Sequence, residues 1–262
     1  MFFRYCVFSS ALVYCKKGFP EKRGEEMMKD DHKTAVSIAA NREWIYTVEY
    51  FGVRKEELSF SPFGPYFTKS IGGKDVLFYF AGRGRKAAGS AAAQYFIDKK
   101  DIERIIVAGT AAGIDEKNRI LDIIIPNRAE QCDTTVREMG PLLNDRYTVE
   151  LELPSLPFDF KTGVIGSTDK PVVMWRDHVE LRENGITIAD MEAAAIAYIC
   201  RLNGVEWLFD VIPEYKIHSS AKPDNELQTL FLFILMIVLW AVSRRMNAVV
   251  PMLFDQVAIF FF

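Results

Sequence analysis

Residues 187–200, TIADMEAAAIAYIC, predict a short strand, a tight turn and an alanine-rich helix in direct succession. Two carboxylates, Asp190 and Glu192, flank Met191 just before the helix. One interpretation is that they cap it, with Asp190 as the N-cap and Glu192 in the first turn, because the positive end of a helix dipole favours acidic side chains.

The other interpretation of this segment is a ligand site. Residues two apart in a strand point to the same face, so Asp190 and Glu192 could address one pocket while Met191 packs as a soft apolar wall. A carboxylate has two acceptor oxygens and can take both hydroxyls of a sugar cis-diol. The two interpretations are compatible, because a capping carboxylate can also face a ligand.

Strands and helices alternate along the preceding chain as well. Residues 34–40 predict a strand, residues 41–52 a helix ended by Gly52, and residues 66–81 a hairpin. The buried strand IERIIVAG is followed by an expected loop, TAAGIDEKNR, at residues 110–119. Because alternating strands and helices form a sheet covered on both faces, we predict an α/β fold with its ligand groups at the carboxyl ends of strands.

The composition argues against several classes of protein. Half of the 262 residues are hydrophobic, and a net charge of −3 provides no field that would attract nucleic acid or anionic membranes. Four cysteines without a CxxC pair indicate a reducing compartment, and we expect the cytoplasm. Three histidines give no zinc-binding spacing, so a metal site is not expected. No cofactor is expected either.

The two ends of the chain differ from its middle. Residues 1–33 are interpreted as an N-terminal extension outside the fold, because Tyr14 stands where a signal peptide needs a small residue. The thirteen residues from Leu230 to Val242 are all apolar, whereas a spanning helix needs about 20. They favour a buried or interfacial helix, and a non-catalytic, membrane-associated protein stays open as an alternative.

The loop from Gly82 to Gly89, GRGRKAAG, follows a strand and enters a helix. It fits the G-x-G-x-x-A form of a dinucleotide loop, so an NAD(P)-binding oxidoreductase is a second alternative. The next strand, however, ends in Ala-Gly at residues 108–109 and lacks the acidic residue that would bind the adenosine ribose. Arg83 could instead contact a small anion.

A second glycine-rich stretch, VAGTAAGID, follows a buried strand. Its backbone is bare where a flat ligand could rest, and Thr110 supplies one hydroxyl, although such glycines can equally be tight turns. Ser167, Thr168 and Asp169 end a further strand and form either a polar turn or part of a site.

These loops, in this order, resemble the nucleoside phosphorylase superfamily, nearest its methylthioadenosine/S-adenosylhomocysteine nucleosidase branch. The segments that carry the resemblance are VAGTAAGI with LDIIIPNRAEQCDTTV, and TGVIGSTDK with IADMEAAAIAYIC. The resemblance spans residues 34–208 and implies a three-layer sandwich with a central mixed, mostly parallel sheet covered by helices. Residues 209–262 are interpreted as a divergent apolar tail.

The resemblance also implies roles for individual residues. Thr110 and Ala111 would border the purine and ribose, and Met191 would lie beneath the sugar. Glu192 would hold the ribose hydroxyls. Asp190 replaces the glutamate that usually precedes this methionine, which shortens its reach by one methylene.

Further positions follow from the same resemblance. Glu43 is the candidate for the glutamate that orients the attacking water, with Trp44 as the alternative register. Pro171 or Val172 would lie near the base, and Arg83 would bind phosphate if the enzyme is a phosphorylase. Family members are commonly oligomers, so a homo-oligomer is expected.

The implied reaction is cleavage of the N-glycosidic bond of a purine nucleoside or its 5′-thio derivative. Its transition state resembles an oxocarbenium ion, which nearby carboxylates stabilise. Hydrolysis is favoured over phosphorolysis because Arg83 is the only obvious anion-binding side chain. The family's I-S-D segment, which carries the general acid, is absent from VEWLFDVIPEYK, and Asp210 lies too early in the strand to replace it. We therefore expect this chain to be weak or inactive.

Overall fold

The computed structural model describes residues 33–71, 73–82, 86–119, 122–133, 148–150, 153 and 160–215. Within these residues the chain forms ten strands: β1 (Thr34–Ile38), β2 (Ser59–Ser61), β3 (Gly64–Ile71), β4 (Lys74–Phe80), β5 (Arg104–Gly113), β6 (Ile124–Gln131), β7 (Thr148–Glu150), β8 (Lys161–Ser167), β9 (Ile188–Asp190) and β10 (Glu206–Tyr215). The α-helices of the same residues are α1 (Asn41–Tyr50), α2 (Lys86–Lys100), α3 (Trp175–Glu183) and α4 (Ala193–Asn203).

The strands form one mixed sheet in the order β10-β6-β8-β9-β5-β1-β4-β3-β2, with β7 beside β6. Strand β10 pairs in parallel with β5 and also pairs antiparallel with β6. The strands β5, β10, β6, β8 and β9 therefore form a closed ring, from which β1, β4, β3 and β2 extend as an open sheet.

Alternate residues of the central strands enter two different cores, as the period of a strand requires. On β5, Ile105 and Val107 face the core that contains α2 and α4, whereas Ile106 and Ala108 face the core that contains Trp44 of α1. Helices thus cover both faces of a mixed sheet. The predicted three-layer α/β sandwich is confirmed.

Strand β5 changes its neighbour in the middle of its length. On one side it pairs with β1 as far as Ser37 and Val107, and then with β9 at Ala112 and Gly113. Strands β1 and β9 run in opposite directions, so their carboxyl ends meet across residues 108–111 of β5. Ligands of open α/β sheets bind where neighbouring strands diverge in this way. Gly109 and Thr110 are the only partly exposed residues of an otherwise buried strand.

Several local expectations are confirmed. The helix at residues 41–50 ends before Gly52, whose φ of 57° suits glycine. Strands β3 and β4 form the predicted hairpin, which pairs Ile71 with Lys74.

Two expectations need correction. The loop predicted from Thr110 to Gly113 is strand, because its backbone pairs with β10 and β9. Helix α3 was not predicted, since it has few apolar residues. Strand β10 also continues seven residues past Leu208, where the sequence resemblance ends.

Two predicted features lie outside the described residues: the N-terminal extension up to residue 32, and the apolar stretch from Leu230 to Val242. Among the residues that the structure does describe, no helix is long and apolar enough to cross a membrane.

Candidate functional site

Glu43 and Thr110 meet at the gap between β1 and β9. The Oε1 atom of Glu43 accepts hydrogen bonds from the backbone amide and the hydroxyl of Thr110, both at 2.8 Å. The Glu43 residue is only 7% exposed. A buried carboxylate that contacts a partly exposed threonine where neighbouring strands diverge is a candidate site residue.

The start of α1 explains the position of Glu43. Its Oε2 atom accepts a hydrogen bond from the backbone amide of Ala40 at 3.1 Å, as in a capping box. The next residue, Trp44, turns away and packs against Phe67 and Phe80 in the core. Of the two registers that the sequence left open, the structure therefore brings Glu43 to Thr110 and leaves Trp44 in the core.

Asp190 caps the start of α4. Its Oδ2 atom accepts hydrogen bonds from the amides of Glu192 at 3.1 Å and Ala193 at 2.7 Å, and its Oδ1 atom accepts one from the Ser167 hydroxyl. Ser167 in turn accepts the amide hydrogen of Ala194 at 2.8 Å. The first amides of α4 are therefore bound by two side chains. Asp190 caps the helix through its side chain as predicted, but the N-cap position itself is Glu192, two residues later than predicted.

The environment of Asp190 perturbs its ionisation. Burial of the carboxyl group raises its pKa above the ordinary value of an aspartate. Hydrogen bonds from Ser167 and from the amides of Ala193 and Glu192 oppose this effect, as does the positive charge of Lys86. Burial outweighs them, so the carboxyl group is a weaker acid than an exposed one.

Glu192 is the N-cap residue of α4 and is only 7% exposed. The strand argument that placed it on the same face as Asp190 is wrong, because β9 ends at Asp190 and the chain bends at the next two residues. Helix α2 packs closely against it: a Cβ atom added to Gly89 would lie 3.1 Å from the Cβ atom of Glu192. Glu192 is therefore buried where α2 packs against the start of α4.

The structure describes four further candidates, namely Ala111, Pro171, Val172 and Met191. Ala111 is buried on β5, and the β5–β9 register, continued by one residue, brings it beside Asp190. Val172 is buried in a cluster that includes Ala112 and Ala189, whereas Pro171 is exposed. Met191 is half-buried at the bend before α4.

Sequence reasoning missed Lys86, the first residue of α2. Its Nζ atom lies 3.1 Å from Asp133 and 3.3 Å from Asp169, and its side chain is only 9% exposed. The two carboxylates follow β6 and β8, so their sequence separation from Lys86 hid the cluster. A lysine at the amino end of a helix, where the dipole disfavours a cation, was the available signal.

Arg83, the predicted anion-binding residue, lies outside the described residues. No cluster of histidine, cysteine and acidic side chains in the described part of the chain could hold a metal ion.

Comparison with known proteins shows the family of this chain. Residues 46–209, more than half of the chain, match the family model described as the Phosphorylase superfamily. Two similar relatives are 5′-methylthioadenosine/S-adenosylhomocysteine nucleosidases, from Tolumonas auensis (27% identity) and Thermotoga maritima (24% identity). These matches cover 52% and 55% of this chain and 66% and 67% of the respective relatives, so the chain spans about two thirds of their length.

The fold agrees with solved structures as well. A Campylobacter jejuni enzyme of the same name has a TM-score of 0.67 at 14% identity, over 81% of this chain and 99% of that one. The structure brings Glu43 and Thr110 into contact and places Glu192 at the start of α4. The family match shows that this chain belongs to the phosphorylase superfamily.

Proposed function

We propose that this protein cleaves the N-glycosidic bond of a purine nucleoside or 5′-thio-nucleoside with water. The observation that carries the proposal is the contact between Glu43 and Thr110 at the gap where β5 passes from β1 to β9. The names of the relatives support a 5′-thioadenosine as the first substrate to test.

In this mechanism the ligand lies over residues 108–111 of β5. Glu43 holds the attacking water beside Thr110, and Glu192 binds the ribose hydroxyls. As the glycosidic bond lengthens, the sugar gains positive charge, and the two carboxylates stabilise it more strongly than they stabilise the ground state. Asp190 acts indirectly, since both of its oxygens bind the amides and hydroxyl that hold the start of α4.

Water is favoured over phosphate as the attacking group, because the nearby hydrogen-bond donors are already bound to protein side chains. The first amides of α4, which could otherwise bind an anion, donate to Asp190 and Ser167. The ammonium of Lys86 is bound by two carboxylates. A phosphate dianion beside these groups would meet carboxylates first, which disfavours its binding.

The departing purine needs a proton, and no described side chain is assigned to donate it. General acid catalysis contributes about 10²–10⁴-fold in rate. The family's acidic residue is absent from the sequence of β10, and Asp210, whose backbone pairs with Ala108, lies two residues before the level of Thr110. We therefore propose that kcat is lower by about 10²–10⁴-fold than in relatives that carry the general acid.

Base release tests the proposal. The purified full chain is incubated with 5′-methylthioadenosine, adenosine and inosine, each with and without phosphate, and free base and sugar product are separated by chromatography. Release of base with a free reducing sugar, independent of phosphate, is the expected result. A sugar 1-phosphate product would show that the reaction is phosphorolysis and not hydrolysis. If no base is released from any nucleoside over hours at high enzyme concentration, the proposed activity is wrong.

The comparisons favour neither alternative function. The loop from Gly82 to Gly89 lies inside the segment that matches the phosphorylase superfamily, which gives the dinucleotide-binding interpretation no support. We further propose that the protein acts in the cytoplasm as a homo-oligomer. Light scattering coupled to gel filtration measures the oligomeric state directly, and a monomeric mass would contradict it.

A further inference from the structure

Lys86 occupies an unfavourable position for a lysine. It begins α2, where the helix dipole repels a cation, and its side chain is nine-tenths buried. A buried ammonium needs compensating charge, which Asp133 and Asp169 provide. Two other lysines of the same helix, Lys99 and Lys100, are exposed to solvent. The burial of Lys86 therefore indicates a structural role for its charge.

The contacts of Lys86 join three segments that surround the gap. Asp133 follows β6 and Asp169 follows β8, while Lys86 itself starts α2. Asp133 also accepts the backbone amide hydrogen of Asp169, so the two strand ends are linked directly. The ammonium thus binds the ends of two parallel strands to the amino end of a helix.

These segments also carry the groups that hold α4. Ser167, two residues before Asp169, bonds to Asp190 and to the amide of Ala194. Gly89, one turn after Lys86, packs on Glu192. Lys86 is also close enough to Asp190 to favour its ionised form. A displacement of Lys86 would therefore reach Glu192 through α2 and Asp190 through β8.

We propose that Lys86 is a positioning residue, which ties the ends of β6 and β8 to α2 and so holds the start of α4 in the geometry that the site needs. Its effect on catalysis rests on the proposed nucleosidase function. Its effect on the start of α4 does not, because that part of the protein is held whether or not a nucleoside is bound.

The charged groups around Asp190 predict a pH signature. Lys86 acts on it from α2, Ser167 from β8 and the first amides from α4, while Asp133 and Asp169 pair with the ammonium of Lys86. Replacing Lys86 removes the positive charge that favours the ionised form of Asp190. Asp190 then takes up a proton at higher pH, and the acidic limb of the pH profile of kcat moves upward.

The variants Lys86→Met, Lys86→Arg and Lys99→Met test the inference, the last as an exposed control on the same helix. Amide hydrogen exchange of the segment 188–196 is measured by mass spectrometry without ligand, together with kcat and KM for 5′-methylthioadenosine from pH 5 to pH 8. We expect about tenfold faster exchange at the start of α4 in Lys86→Met, near-normal exchange in Lys86→Arg and no change in Lys99→Met. If Lys86→Met does not fold, Asp169→Asn replaces it, since the Asp169 side chain is 60% exposed and Asp133 still pairs with the lysine.

Two results would overturn the inference: unchanged exchange in segment 188–196, or an equal increase in exchange across β1, β4 and β5, which would indicate general destabilisation. Altered exchange in an enzyme that releases no base would contradict the proposed function and leave the positioning role supported. A fall in kcat larger than the rise in KM, with the upward pH shift, is the expected kinetic result. Lys86→Met with an unshifted pH profile would show that the role is purely mechanical and would refute the electrostatic part.

Discussion

The backbone amide and the hydroxyl of Thr110 both donate to one oxygen of Glu43, across 67 positions of sequence. This pair connects the start of α1 to the middle of β5, at the point where β5 loses β1 as its neighbour. The other oxygen of Glu43 binds its own helix start through Ala40. The carboxylate is thus fixed at both oxygens, which is the preorganisation that a catalytic group needs.

Glu43→Gln should lower kcat for base release by about a hundredfold, because the amide cannot stabilise positive charge on the sugar or draw a proton from water. Gln keeps one acceptor oxygen and so loses the hydrogen bonds either to Ala40 or to Thr110, and the melting temperature should therefore fall modestly. Glu49→Gln, an exposed position on the same helix, is the matched control. Wild-type kcat in Glu43→Gln would exclude this residue from the chemistry.

Thr110→Val removes the hydroxyl donor to Glu43 and leaves the backbone donor in place. A hydrogen bond to a charged group contributes about 1.5–3 kcal/mol, so we expect lower stability to urea and lower kcat. Thr110→Ser keeps the hydroxyl and should restore both. If Thr110→Val and Thr110→Ser have the same stability and the same kcat, the hydroxyl has no role in the site.

Gly109→Ala tests the space beside Glu43. An added Cβ atom would lie 3.3 Å from both carboxylate oxygens, closer than most real contacts of this kind. The carboxylate must then move away from Thr110, and misplacement of a catalytic group by about 1 Å costs on the order of a hundredfold in rate. Kinetics and thermal unfolding are measured together. If Gly109→Ala unfolds at a much lower temperature but keeps the wild-type kcat, the position of the Glu43 carboxylate does not control the rate.

Glu192→Gln should reduce kcat more than it raises KM, because a carboxylate binds the ribose hydroxyls more strongly as the sugar becomes positive. Glu183→Gln, at the exposed end of α3, serves as the control. Equal loss in kcat/KM for ribosides and 2′-deoxyribosides would argue against contact with the 2′-hydroxyl.

Asp190→Asn predicts a pH-dependent change in the free energy of unfolding. Since the folded state raises the pKa of Asp190, the group contributes stability that is fully present below its unfolded pKa, about 3.9, and is lost as pH rises through the folded value. Asn does not titrate and can still cap α4, so its stability relative to wild type should improve as pH rises. Urea denaturation across this pH range measures the difference.

Two controls complete the Asp190 experiment. Asp75→Asn, exposed on β4, should show no comparable trend. Asp190→Ala also loses the cap, so it should be about 1 kcal/mol less stable than Asp190→Asn at every pH. A relative stability of Asp190→Asn that falls with rising pH would show that the folded state lowers the pKa of Asp190.

Local patterns were sufficient to predict much of the fold. The hairpin of β3 and β4, the end of α1 at Gly52 and the strand-turn-helix at Asp190 depend on neighbouring residues, and sequence periodicity reports such interactions. Glu43 was identified through family resemblance, and its contact with Thr110 required the fold. Whether residues 110–113 form a loop or a strand depends on pairing with β9 and β10, which lie far along the chain. Lys86 was missed for the same reason, because its partners are distant in sequence.

Strand β10 has a consequence for biosynthesis. It closes the ring by pairing with both β5 and β6, yet it is the last strand of the described residues to be translated. Until it emerges from the ribosome, the edge of β5 that β10 covers from Arg104 to Ala112 stays unpaired, and such an edge recruits strands from other chains. The nascent protein should therefore depend on chaperones during this interval.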